Sequence, residues 1–96
     1  MLIEEKLNNL NPKDIAVMRI IEGLRTAFEY VPVSKIKERF NYGNKVILNQ
    51  ILNKLNKLEL IEHNFMKGED AYRLKSLGYE TLAFWDLKKQ GVIKKY

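Results

Sequence analysis

Between Tyr72 and Ile93 the chain reads Y-R-L-K-S-L-G-Y-E-T-L-A-F-W-D-L-K-K-Q-G-V-I. The stretch from Ala71 to Lys75 suits a short strand, and it turns abruptly into a helical pattern. Ser76 is placed to cap that helix, which runs through Tyr79, Leu82, Phe84, Trp85 and Leu87 to about Lys89. Lys88 and Lys89 suit the negative end of the helix dipole, and Gly91 suits the exit.

Several helical patterns and the other arm of a hairpin lie upstream. Met1 to Leu10 has weak periodicity (Leu2, Ile3, Leu7, Leu10) that suits a short leading helix. Asn11-Pro12 is a helix start, since Asn caps and Pro in the first turn forfeits no needed donor. Ile15, Met18, Ile21, Leu24 and Phe28 then predict a helix over Pro12 to about Glu29. Tyr30-Val31-Pro32-Val33 breaks it and suits a short strand. Ser34 is the expected cap of a second helix with Ile36 and Phe40 on its inner face. Asn41-Tyr42-Gly43 is turn chemistry. A third helix is predicted from Asn44 to about Glu59, striped by Ile47, Leu48, Ile51, Leu52, Leu55 and Leu58. Leu60 to Asn64 completes the hairpin, with Lys67-Gly68-Glu69-Asp70 as its tip. Two helices joined by a Gly-containing turn, then a hairpin and a helix, spell a winged helix-turn-helix. The expected class is mainly α with a small β-hairpin wing (α+β), a domain over 1–90 and a linker or further domain starting at 91–96.

Ninety-six residues suffice for one domain, and a hydrophobic share of 46% argues against disorder. The absence of cysteine excludes disulfides and thiolate metal sites, which makes a cytoplasmic setting the default. No apolar run approaches the roughly 18 residues that span a bilayer, so no membrane role is expected. The net charge is +5, placed unevenly: residues 1–33 hold four basic groups and five acids, so the excess lies downstream. A basic half favours phosphate-bearing partners, and it is also what an ordinary solvated lysine surface looks like.

The third helix is the best candidate for a working surface. Its polar face carries Lys45, Asn49, Gln50, Asn53, Lys54, Asn56 and Lys57. Asn and Gln pair bidentately with adenine edges, and Lys reaches phosphate or guanine. In a helix-turn-helix this element enters the major groove. Lys35, Lys37 and Arg39 of the second helix could position the protein on backbone phosphates. On the wing, Lys67 and Arg73 are basic, but Glu69 and Asp70 sit beside them and would repel phosphate. His63, the only histidine, reads as a half-exposed strand residue. Ser34 and Ser76, the only serines, read as caps, and no glycine-rich phosphate loop is present. No catalytic residue, metal ligand or cofactor site is therefore expected in this chain.

Tyr72, Leu74, Gly78 and Leu82 follow the Y-x-L-x-x-x-G-x-x-x-L pattern and resemble the wing-to-helix junction of many winged-helix regulators. A narrower resemblance runs along nearly the whole chain. Asn9-Leu10-Asn11-Pro12-Lys13-Asp14, Phe28-Glu29-Tyr30-Val31-Pro32, Gly78-Tyr79-Glu80-Thr81-Leu82-Ala83 and Leu87-Lys88-Lys89-Gln90-Gly91-Val92-Ile93 are similar, in order, to the N-terminal domain of the RIO family of atypical serine/threonine kinases. The subfamily is the one that carries a winged helix before its kinase domain. The resemblance implies a role in small ribosomal subunit maturation, with ribosomal RNA or the pre-ribosome as partner. It also implies ATP and Mg binding in a following kinase domain, whose residues would lie beyond Tyr96. Three readings stay open: a nucleic-acid-binding module of such a kinase, a free-standing dimeric regulator on double-stranded DNA, and a winged helix that docks proteins.

Overall fold

The computed structural model describes residues 7–89. Most of the expected leading helix lies outside them, although Leu7 and Asn8 are helical. Gly91, the expected exit glycine, and Tyr96 also lie outside.

The first helix, α1 (Pro12–Leu24), starts as its sequence dictates. Asn11 Oδ1 accepts from the Asp14 amide at 3.1 Å, and Asp14 Oδ2 accepts from the Asn11 amide at 3.0 Å. This reciprocal capping box satisfies two otherwise orphaned donors. The helix ends at Leu24, short of the expected Glu29. The Ala27 and Phe28 amides both return to the Leu24 carbonyl, so the last turn tightens and unwinds. Gly23 and Thr26 are weak helix formers, and the chain must also turn here for Val31 to pair with Tyr72. Phe28 keeps its place on the apolar face as a partly buried residue against the core.

Strand β1 (Val31–Pro32) leads directly into α2 (Val33–Arg39). Ser34 is not the cap that its position suggested. Pro32 occupies the N-cap without a side-chain hydrogen bond, and Ser34 is already inside the helix. Its amide instead donates to Glu69 Oε1 at 3.0 Å, a carboxylate supplied by the hairpin. Helix α3 (Lys45–Lys57) starts at Asn44, whose Oδ1 accepts from the Ile47 amide at 3.1 Å. It ends in a Schellman motif: the Leu60 amide bonds the Leu55 carbonyl and the Glu59 amide bonds the Asn56 carbonyl. Glu59 takes the left-handed position at φ 62° that glycine usually fills.

Strands β2 (Ile61–Met66) and β3 (Glu69–Leu74) are longer than expected. The tip is only Lys67-Gly68, with φ of 53° and 82°, a type I′ geometry that matches strand twist. Glu69 and Asp70 therefore stand on the strand. Helix α4 (Ser76–Lys89) follows after one residue. Ser76 is its first residue rather than its cap, and the Gly78 and Tyr79 amides bond the Lys75 carbonyl.

The sheet is antiparallel in the order β1-β3-β2, with Val31 opposite Tyr72, and Ile61, His63 and Phe65 opposite Leu74, Tyr72 and Asp70. Ile61, Tyr72, Leu74 and Val31 join Met18, Ile21, Ile36, Leu48, Leu52, Leu55 and Leu82 in one core. Tyr79 and Trp85 pack on its rim. The architecture is the expected winged helix-turn-helix, with four helices from Pro12 to Lys89 on a three-stranded sheet among the described residues.

Candidate nucleic-acid interface

Helix α3 is divided by its own periodicity. Leu48, Ile51, Leu52 and Leu55 are buried, and Lys45, Asn49, Gln50, Asn53, Asn56 and Lys57 are all exposed. No acid interrupts Lys45 to Lys57. From Val33 to Leu58 six basic side chains stand against one acid, Glu38. The helix-turn-helix thus carries a positive charge as large as that of the whole chain. Lys37 and Arg39 are exposed and make no ion pair among the described residues, whereas Lys35 lies 3.6 Å from Glu38.

Lys54 is placed differently from its neighbours. Its ammonium meets Asp14 Oδ2 at 2.6 Å, and Asp14 is 1% exposed. The same carboxylate closes the capping box of α1, so one buried acid ties the start of α1 to the flank of α3. Much of the Lys54 charge is thereby spent inside the fold. Gln50, Asn53, Lys54 and Lys57 line a groove together with Asn9 and Leu58. The polar face consequently borders a concave strip rather than a flat wall.

Two exposed residues beside the predicted set escaped the sequence reading. Val46 is 62% exposed at the first turn of α3, and Tyr42 is 50% exposed in the turn before it, tilted against Phe40 at 6.0 Å. Val46 lies off the Leu48–Leu52–Leu55 stripe, so helical phase would have placed it outside. Tyr42 carried no such signal, because turn residues have no periodic partner.

On the hairpin, Lys67 is exposed at the turn. Arg73 is engaged elsewhere: its guanidinium bonds Glu62, approaches Glu29 at 3.5 Å and covers the Tyr30 ring at 4.5 Å. Tyr30 Oη donates to Glu62 Oε2 at 3.1 Å. Foremost through Arg73, this cluster holds the Glu62 carboxyl below its ordinary value. A depression adjoins that cluster, lined by Ile21, Arg25, Thr26, Glu29, Val31, Arg73, Leu74 and Tyr79. Among the described residues no group of three His, Cys, Asp or Glu could hold a metal ion, and no described helix is long and apolar enough to cross a membrane.

The family model "Rio2, N-terminal" matches residues 7–90. No curated protein sequence matches the chain. Among solved structures, the Rio2 kinase–ADP/Mg2+–phosphoaspartate complex from Chaetomium thermophilum superposes with a TM-score of 0.83 at 22% identity, over 95% of this chain and 27% of that one. A second Rio2 kinase structure from Chaetomium thermophilum gives 0.76 at 22% identity, over 93% of this chain and 25% of that one. The chain spans about a quarter of the length of the kinases it resembles. A winged helix with this element order, matched from Leu7 onward along nearly its whole length, belongs to the family of Rio2 N-terminal domains.

Proposed function

We propose that this domain binds nucleic acid through α3, and that it does so as the N-terminal module of a RIO-type serine/threonine protein kinase in small ribosomal subunit maturation. The observation that carries the reading is the acid-free outer face of α3, with Lys45, Asn49, Gln50, Asn53 and Lys57 exposed together. Amide side chains recognise base edges, and the flanking lysines neutralise phosphates. Lys37 and Arg39 supply further cations from α2. ATP and Mg belong, on this reading, to the kinase part of the whole protein; the relative solved with ADP and Mg2+ supports that division of labour. Ribosomal RNA is the proposed partner and a cysteine-free cytoplasmic protein the proposed setting.

Fluorescence anisotropy against a stem–loop RNA and a blunt DNA duplex, over a series of salt concentrations, tests the reading. Binding should weaken with salt, and Lys45→Glu together with Lys57→Glu should reduce affinity about tenfold or more while lowering the salt slope. Affinity that ignores salt, or survives both substitutions, removes α3 from the interface. Two-to-one binding restricted to a palindromic DNA duplex would instead favour a dimeric regulator.

A further inference from the structure

The hairpin carries a feature that the reading of α3 does not use. Phe65 is 64% exposed and Met66 39% exposed, side by side before the turn. Most exposed apolar side chains mean nothing singly, but the placement of this one is specific. Side chains alternate along a strand, so Phe65 shares a face with Ile61 and His63, and across the pair with Asp70, its direct partner, and with Tyr72 and Leu74. Ile61, Tyr72 and Leu74 are core. Phe65 therefore continues the core face of the sheet, the side on which the helices pack, outward past the point where they cover it.

The acids of the hairpin would ordinarily discourage a nucleic acid there, yet both are engaged. Glu69 Oε1 accepts the Ser34 amide at 3.0 Å, drawn toward the first turn of α2. Asp70 Oδ1 faces His63 Nε2 at 2.7 Å, and His63 in turn lies against Tyr72 with ring centroids 5.1 Å apart. Lys67 is left as the charged side chain of the turn without an ion pair or hydrogen bond among the described residues. The tip thus offers an uncovered aromatic ring, a thioether and one free cation. Two-residue type I′ geometry keeps it narrow.

Resting on the nucleic-acid reading of α3, we infer that the wing tip is a stacking site for an unpaired nucleobase, with the Phe65 ring as the platform and Lys67 on the adjacent phosphate. Every base has a π-face, so the site takes looped or single-stranded nucleic acid without sequence preference. A duplex, whose bases are already stacked, gains nothing from it. Base reading by α3 and base stacking by the wing would together select a helix end or loop rather than a continuous duplex.

The test measures affinity of the 96-residue chain for a stem–loop RNA with 2-aminopurine in its loop and for a blunt RNA duplex of the same stem. Phe65→Ala should weaken stem–loop binding about tenfold and leave duplex binding within twofold. It should also abolish the quenching of 2-aminopurine that the wild type produces. Phe65→Tyr, which keeps a ring, should bind like wild type, and Lys67→Gln should reduce the single-strand salt slope by about 0.7 while Phe65→Ala leaves it unchanged. Since Phe65 is exposed, thermal unfolding should be unaltered in all three variants. Wild-type chain that binds neither RNA ends the reading of α3 and this inference with it. Wild-type binding that Phe65→Ala leaves intact overturns the stacking site alone. Equal loss on stem–loop and duplex, or loss with Phe65→Tyr, also overturns it.

Discussion

A Cβ on Gly78 would lie 2.3 Å from the Leu60 carbonyl oxygen and 3.3 Å from a methyl group of Leu74. That carbonyl is itself fixed, because it accepts the Lys75 amide at 3.0 Å. Helix α4 can approach the start of the wing only where no side chain intervenes. Gly23, in α1, has nothing within 4 Å of an added Cβ. The two glycines should therefore respond in opposite directions. Gly78→Val should destabilise by about 3 kcal/mol through overpacking against rigid backbone. Gly23→Ala should stabilise by about 0.5–1 kcal/mol by restricting the unfolded chain. Chemical denaturation of both variants checks this, and equal effects would mean that α4 does not seat as described. Glu59 belongs to the same scale. Its φ of 62° closes the Schellman turn in which Leu55 and Leu60, both fully buried, come together. An L-residue tolerates that strain because the Leu60 amide and the two leucine side chains define the turn.

Between elements, the sequence was most legible where a local rule sufficed. The Asn11-Pro12 start and the striped α3 follow from local sequence alone, and so does the polar face of that helix. Two misreadings arose where a distant residue supplied the group that a local one was expected to give. Ser34 looked like a cap because serine usually is one; the carboxylate that meets its amide comes from Glu69, 35 residues away. Lys54 looked like another cation of the α3 face until Asp14, 40 residues away, took its ammonium. Phe65 was unreadable because its exposure depends on how far the helices reach over the sheet. The same long-range logic joins the α1–β1 connection to the back of the wing through Tyr30, Glu62, Arg73 and Glu29. Arg73 above all, with Tyr30, depresses the Glu62 carboxyl below its ordinary value. A carboxyl depressed in the folded state adds stability above its ordinary value and loses it as pH falls through the folded value. Melting temperature should accordingly drop more between pH 6 and pH 3 in the wild type than in Glu62→Gln. Parallel acid limbs in the two proteins would remove this clasp from the acid response.

At the scale of the whole molecule, charge is divided between holding the fold and facing outward. Arg19 pairs with Glu22 and Asp86, linking α1 to α4, and Lys54 pairs with Asp14, linking α3 to α1. Lys37, Arg39, Lys45, Lys57 and Lys67 are exposed and have no carboxylate within salt-bridge distance among the described residues. A counterion-release slope counts only cations that are free to exchange small ions for phosphates. Two lysines on one helix, three residues apart, then separate the two roles. Lys54→Met keeps the aliphatic stem and deletes the partner of a buried carboxylate; hydrogen bonds to charged groups contribute about 1.5–3 kcal/mol, and partial exposure of Lys54 places the loss near the lower end. Its effect on the salt slope of RNA binding should be small. Lys57→Met should leave stability within about 0.5 kcal/mol, as surface substitutions do, and should lower the slope by roughly 0.7–0.9, the contribution of one phosphate. Urea denaturation and salt-dependent anisotropy on the same two variants give both readouts. A Lys54 variant that loses slope as well as stability would mean that the Asp14 pair opens when nucleic acid binds. The ammonium would then exchange a buried carboxylate for a phosphate, and the capping box of α1 would loosen in the bound state.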